Sequence, residues 1–280
     1  MRRWLRSLLS RAAHHNFLIA FTASLASISV YVLYHHPINF ILGVEVFFAT
    51  FFTYTIQRLF GLGSSSTEIQ KWKILLLVFS GVVIIALAFL LSLTQVVLLG
   101  LAGSLSLLYA LPVIPHKNSK KSLRQIPYLK IWVIVAVWII VICLVPLSDF
   151  SSSDAGNLLT TKIIFIIQQG AFVFALTIPF DIRDLKEDES DQKTIPMILG
   201  VGQSVSLAKS ALWLSFFTAG LNFLFGFFDL EIVFIQLFIV LIGLRLLHRS
   251  KSIQRNEFYL IQVDGLIAFQ ALLFLLSYFI

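Results

Sequence analysis

Nine apolar stretches, each close to the length that crosses a bilayer, leave this chain essentially one way to fold. They run near 17–34, 38–56, 74–92, 95–112, 131–147, 161–180, 204–226, 231–247 and 259–280, against a ruler of about 20 apolar residues for a helix that spans the hydrocarbon core. In hydrocarbon every backbone N–H and C=O must be satisfied internally, which a helix does within one segment. The expected architecture is therefore all-α: a polytopic bundle of nine transmembrane helices forming a single integral membrane domain over 1–280. Composition agrees, with 58% hydrophobic and 12% charged residues where a soluble chain carries about a quarter charged. The single Cys143 has no partner, so neither a disulfide framework nor a thiolate metal site is expected.

Basic residues fall on alternate connections. With the N-terminus inside, the inner segments hold Arg2, Arg3, Arg6 and Arg11; Arg58, Lys71 and Lys73; Lys117, Lys120, Lys121, Arg124 and Lys130; Arg183, Lys186 and Lys193; and Arg245, Arg249, Lys251 and Arg255. Of the 21 Lys and Arg, that leaves Lys209, near the inner end of the seventh stretch, and Lys162, alone outside. The positive-inside rule then puts the N-terminus in the cytoplasm and the C-terminus outside, in a multi-pass protein of the cytoplasmic membrane. One helix more or fewer would scatter the later clusters to the wrong side. The opening MRRWLRSLLSRAAHHN is like the start of a signal peptide, but the run after it lacks a small-residue cleavage site and is long enough to span, so it reads as a retained first helix. The net charge of +7 follows from this bias and from attraction to anionic lipid headgroups. It does not argue for nucleic acid.

One segment breaks the apolar pattern chemically as well as topologically. Pro179 to Pro196, PFDIRDLKEDESDQKTIP, concentrates Asp181, Asp184, Glu187, Asp188, Glu189 and Asp191 out of 14 acidic residues in the chain. If it stays helical, Asp181, Asp184 and Asp188 share one face, with neighbours about 5–6 Å apart. Like charges so stacked repel, and hard oxygen ligands in such an array suit magnesium with substrate phosphates attached. The plainer alternative is a solvated helix start.

This acidic run resembles the second aspartate-rich motif of the UbiA superfamily of intramembrane prenyltransferases, often written RDxxxDxxxGxxTLP after the sixth of nine helices. Arg183, Asp184 and Asp188 are followed here by Lys193, Thr194, Ile195 and Pro196, then MILG at Met197 to Gly200. Tyr109-Ala-Leu-Pro112, a basic loop, and Ile126-Pro127-Tyr128 resemble the family's YSxxP segment and the loop that follows it. Tyr259 and Asp264-Gly265 look like a common feature of the last helix. The resemblance implies Mg2+ held by Asp184 and Asp188, with Asp181 assisting. It also implies a prenyl diphosphate that ionises at the cytoplasmic face, and a hydrophobic acceptor, a quinone precursor or other lipid, alkylated within the bundle. Tyr109, Lys117, Lys121, Arg124, Lys193 and Asp264 are the implied substrate contacts. Membrane lipids are the other expected partners.

The first motif of that family, NDxxDxxxD at the inner end of helix 2, is missing. Thr53-Tyr54-Thr55-Ile56-Gln57-Arg58 stands there, with no Asp before Glu68. The best register sets Thr53 on the Asn and Gln57 on the Asp three residues after the opening Asn-Asp pair, where Tyr54 takes the place of the first Asp. Gln57 offers a metal only a neutral carbonyl oxygen, and Arg58 offers none, although a guanidinium grips phosphate directly. Half of the magnesium machinery is absent, which keeps open a degenerate member or a transporter that binds lipid or prenyl diphosphate without turnover. A CDP-alcohol phosphotransferase is disfavoured by the absence of a DGxxAR run. Lys117, Lys120, Lys121 and Arg124 are residues that more often serve as topology determinants than as phosphate ligands, and Tyr109 reads as readily as an interfacial anchor as a substrate contact. Glu45 and Asp264 lie inside spans, where a carboxylate costs a few kcal/mol and marks a functional or paired site by default.

Overall fold

The computed structural model describes residues 11–61, 67–112, 114–116, 119–150, 158–185, 193–252, 254–255 and 257–279, with the backbone alone at 11–15, 60–61, 67–70, 116, 119–121 and 279. Among these residues nine helices are long and apolar enough to cross a membrane. They are α1 (Arg11–Leu33), α2 (Phe40–Gly61), α3 (Thr67–Ala88), α4 (Leu93–Ala110), α5 (Leu129–Leu147), α6 (Leu158–Asp184), α7 (Ile195–Leu224), α8 (Leu230–Arg249) and α9 (Phe258–Leu276). Most consecutive helices pack side by side, but α4 packs on α2 and α5 rather than on α3, and α9 returns to pack on α1, so the bundle closes into a ring with α3 outside it against α2. Two three-residue strands, β1 (Ile114–His116) and β2 (Ser119–Lys121), form a small antiparallel hairpin between α4 and α5.

Each of the nine apolar stretches becomes a helix, and the differences lie at the ends. α3 begins at Thr67 and α7 at Ile195, well before their hydrophobic runs, because polar residues at a membrane boundary continue a helix once it is nucleated. α7 bends at Gly200, whose φ of 76° and ψ of 162° interrupt its helical backbone. That conformation is open to glycine at little steric cost. Its first turn, Ile195–Leu199, therefore runs in a direction of its own beside the acidic segment.

The outer end is tied together by polar groups. Asp149, just beyond α5, accepts hydrogen bonds from Tyr31 of α1, from Asn39 at the head of α2 (3.3 Å) and from Gln95 of α4 (2.8 Å). Asn39 also accepts the backbone N–H of Leu42 at 3.0 Å. Ser92 and Gln95 cap α4 reciprocally, a capping box that satisfies two otherwise orphaned amides. Lys162, the one basic residue expected outside, donates to the Phe150 carbonyl at 2.6 Å. Among the described residues nothing comparable ties α3, few of whose side chains are buried.

Two helices carry a π turn. In α5 it spans Ile140–Leu144, directly before Pro146, where the missing proline N–H disturbs the regular ladder. Ser27 of α1 donates to the Val141 carbonyl there at 3.0 Å. In α9 the π turn spans Phe258–Val263 and ends at Asp264, and such turns frequently occur at functional sites.

Helices in lipid approach closely where residues are small. Gly43 of α2 lies against α1, and a Cβ built there would fall 2.7 Å from Ile28 Cγ2, an atom that its β-branched side chain cannot easily move. Gly43→Ala should therefore lower stability by about 1–3 kcal/mol, read as a drop in detergent melting temperature, whereas Gly220→Ala, whose added Cβ meets nothing within 4 Å, should leave it unchanged. Orientation is checked by labelling. Cys143 is fully buried, so the native background is silent, and Lys193→Cys and Lys251→Cys should react from one face of the membrane while Asp229→Cys reacts from the other.

Candidate functional site

Pro179 sits inside α6, one turn before its polar end. A proline removes an N–H and pushes against the preceding turn, so the last residues of α6 are angled relative to the membrane-crossing part. Asp181 and Asp184 follow on this turn and are both buried, at 3% and 7% exposure. Such burial demands a counter-charge, and α5 provides it.

Lys130, itself buried in the first turn of α5, places its Nζ 3.0 Å from Asp181 Oδ1 and 3.4 Å from Asp184 Oδ2. Arg183 donates its Nε to Asp184 Oδ1 at 2.7 Å, and Arg124 approaches Asp184 Oδ2 at 3.8 Å. The guanidinium of Arg183 is held in turn, 5.2 Å over the Phe180 ring and 5.1 Å over the Tyr259 ring. The hydroxyl of Tyr259 accepts the Gln254 amide at 3.1 Å. Tyr259 thus belongs to the site through Arg183, a link that its isolated position at the start of α9 does not disclose.

Arg124, Lys130, Phe180, Asp181, Arg183 and Asp184 line one wall of a cavity of about 370 Å³. Across it stand Gln57 of α2, Ser106 and Tyr109 of α4 and Asp264 of α9, and its depth is apolar, formed by Val133, Val137, Trp138, Val173 and Leu176. Gln57 donates its Nε2 to the Ser106 carbonyl and to Ser106 Oγ, both at 2.8 Å. A carbonyl only accepts, so this pair fixes the amide orientation and leaves Oε1 uncommitted to Ser106. Tyr109 is positioned by the end of α4, where Pro112 stops the helix.

The cavity brings together most of the residues expected to share a site: Gln57, Tyr109, Arg124, Asp181, Asp184 and Asp264. Arg58 is half-buried on the same turn of α2 as Gln57 but does not line the cavity. Lys193 is exposed, with Nζ 5.9 Å above the Tyr128 ring. Asp188 and Lys117 lie outside the described residues, as does the side chain of Lys121. Lys130 was legible only as a topology charge: a lysine at the head of an apolar helix has no distinguishing pattern, and its role appears once α5 is set beside α6.

Among the described residues no three His, Cys, Asp or Glu side chains gather in a way that could hold a metal. The constellation is instead a carboxylate pair inside a cage of protein cations, at the mouth of an apolar chamber. Such a chamber can accept a molecule with an anionic head and a hydrocarbon body.

No family model and no curated relative matches the sequence. Comparison of backbones is decisive. A UbiA homolog from Archaeoglobus fulgidus bound to Cd2+ superposes with a TM-score of 0.63 over 99% of each chain, at 13% identity. The chain has the UbiA fold. The same homolog bound to GPP and Mg2+ gives a TM-score of 0.61 at 12% identity, covering 98% of this chain and 99% of that one. The structure of a digeranylgeranylglyceryl phosphate synthase gives 0.58 at 13% identity, covering 96% and 98%. The UbiA fold is thus present along nearly the whole length, with little of the sequence retained.

Lys130 carries the electrostatics of this site. Removing one partner of a buried ion pair leaves an uncompensated charge and costs about 3 kcal/mol or more. Lys130→Ala should therefore lower the melting temperature sharply, and adding Asp181→Asn should recover part of the loss. An equal loss in Lys130→Ala and in the double variant would contradict the assignment.

Proposed function

We propose that this protein is a UbiA-type prenyltransferase, transferring a prenyl group from a prenyl diphosphate to a hydrophobic acceptor, a quinone precursor or other lipid, at the cytoplasmic face of the membrane. The observation that carries the reading is the meeting, within the UbiA fold, of Asp181 and Asp184 with Arg124, Lys130 and Arg183 at the mouth of an apolar chamber.

The described donor set fits magnesium sparingly. Asp181 and Asp184 are hard oxygen donors one turn apart, and their spacing already accommodates a single ammonium between them. That suits one ion held through one or two carboxylates together with substrate phosphates, with Asp188 a further candidate ligand. Gln57, in place of a first-motif carboxylate, adds at most a neutral oxygen. When bound, the ion would neutralise charge on the leaving diphosphate.

The chain's own residues supply the rest. Lys130, Arg183 and Arg124 set positive charge where the diphosphate departs with the bonding electron pair from the allylic carbon. A guanidinium presents paired donors to phosphate oxygens, and Arg124, the most exposed of the three, stands where an incoming diphosphate would first meet them. Val133, Val137, Trp138 and Leu176 line the space below and keep water from the allylic cation. The acceptor then forms the new bond through a carbon or heteroatom and gives up its proton.

A second reading has its own observation. Both oxygens of Asp184 and one of Asp181 are already engaged by protein cations, and no carboxylate faces them from α2. A site so self-neutralised binds a diphosphate more readily than it activates one. Incubation of purified protein with a panel of prenyl diphosphates and Mg2+ separates the two: release of inorganic diphosphate supports the transferase, and binding without release supports the second reading. In either case Asp184→Asn should abolish the magnesium-dependent part of diphosphate-analogue binding, and Arg124→Ala should weaken binding about tenfold with or without magnesium, measured by calorimetry.

A further inference from the structure

Glu45 lies on α2 twelve residues before Gln57, about 18 Å along the helix axis, in the outer half of the membrane. It is 3% exposed. Its Oε2 is buried without a hydrogen-bond partner, and no hydrogen bond or ion pair engages the side chain among the described residues. Thr53 and Thr55 further along α2 do find partners: Thr53 donates to the Ala49 carbonyl at 2.8 Å and Thr55 to the Phe51 carbonyl at 2.7 Å. A buried polar group without a partner costs free energy that folding gains nothing from. Inside a membrane span it marks function by default.

Glu45 also lines a second cavity, of about 370 Å³, formed between α2, α3, α4 and α5. Most of the remaining wall is hydrocarbon and glycine, including Ile84, Leu99 and Val141, with Thr50, Thr53, Tyr54, Ser104 and Ser106 adding hydroxyl groups and Glu45 the one carboxylate. Gly100 and Gly103 of α4 make the space. A Cβ at Gly100 would meet nothing within 4 Å, and one at Gly103 would first meet Thr53 Oγ1 at 3.9 Å. α3 and α4 turn most of their remaining side chains outward, so only one helix layer separates the cavity from lipid. Tyr54, Ser106 and Val137 line both this cavity and the aspartate cavity.

We propose that the second cavity is a binding site for a membrane-soluble molecule carrying one hydroxyl, which donates its hydrogen bond to the Glu45 carboxyl. The chemistry narrows the occupant. A bare hydrocarbon chain would leave Glu45 as orphaned as before. A phosphate or sulfate head would bring acceptors and negative charge to an acceptor. A free ammonium is as costly at this depth as a carboxylate, whereas a hydroxyl enters hydrocarbon at modest cost and supplies the missing donor. The site does not depend on the transferase reading, because it contains none of the diphosphate-facing charges.

The test uses purified full-length protein without prenyl diphosphate or magnesium. The probe is a sixteen-carbon alcohol bearing a photoreactive diazirine, compared with its methyl ether, which has the same body and no donor. The alcohol should label peptides of α2 to α4 saturably, about tenfold more strongly than the ether, the worth of one good hydrogen bond in a dry site. Glu45→Leu should bring alcohol labelling down to that of the ether. Glu45→Gln, which keeps an acceptor oxygen, should retain the preference. Gly100→Leu, which fills the cavity and leaves Glu45 in place, should abolish labelling by both. Equal labelling of the parent by alcohol and ether overturns the proposal, as does an alcohol preference that survives in Glu45→Leu. Should Glu45→Leu fail to fold, the ratio in the parent and the loss in Gly100→Leu still decide, since labelling that persists in Gly100→Leu places the alcohol elsewhere.

Discussion

The organisation of the inner half of this protein depends on one ammonium group shared by two carboxylates. Asp181 and Asp184 are a single turn apart and almost out of reach of water, a placement that electrostatics forbids for a bare pair. Lys130 resolves it from the neighbouring helix, and in doing so fixes how the head of α5 meets the foot of α6. Arg183 is drawn to the same carboxylate and is braced by Phe180 and Tyr259, so the foot of α6 is also bound to the head of α9. Three helices thereby converge on one polar knot, and the chamber is the space between them. Charge, rather than shape, determines where the substrate-sized hollow opens.

The fold could be read from the chain because hydropathy answers to one dominant cost. A polar backbone group in hydrocarbon is so unfavourable that nine apolar runs leave little choice of element, and alternation of basic loops adds direction. What hydropathy cannot see is where a helix departs from regularity. The π turns at Ile140–Leu144 and Phe258–Val263 and the bend at Gly200 leave mean apolarity untouched, although Pro146 and Gly200 hint at two of them. Helix ends were misplaced for the same reason: Thr67–Lys73 and Ile195–Gln203 are helical without being hydrophobic throughout.

The site was legible where charge stands against its surroundings. Six acids in one inter-helix segment announce themselves, and Asp181 and Asp184 do face the cavity. The partner supplied by the neighbouring helix was not legible, because Lys130 looks like any basic residue at a helix end until α5 and α6 are side by side, and Arg124 was legible only as a substrate contact, not as a neighbour of Asp184. Gln57 was placed correctly on its helix, yet its engagement with Ser106 depends on packing between α2 and α4. Arg58, one residue on, points about 100° away around the helix. Adjacency in sequence therefore separated the two.

The knot around Asp149 makes the bundle mechanically unequal at its two ends. Tyr31, Asn39 and Gln95 bind α1, α2 and α4 to a common point on the outer side, while the inner ends meet around a hollow. Helices joined at one end move like the ribs of a fan. Asn39 and Gln57 are separated by about 27 Å of helix, so a tilt of about 5° about the outer junction carries Gln57 through about 2 Å, roughly the difference between a formed and a broken contact with Ser106. Small rotations about a fixed outer hub are thus magnified along the helices into ångström-scale displacements beside the chamber.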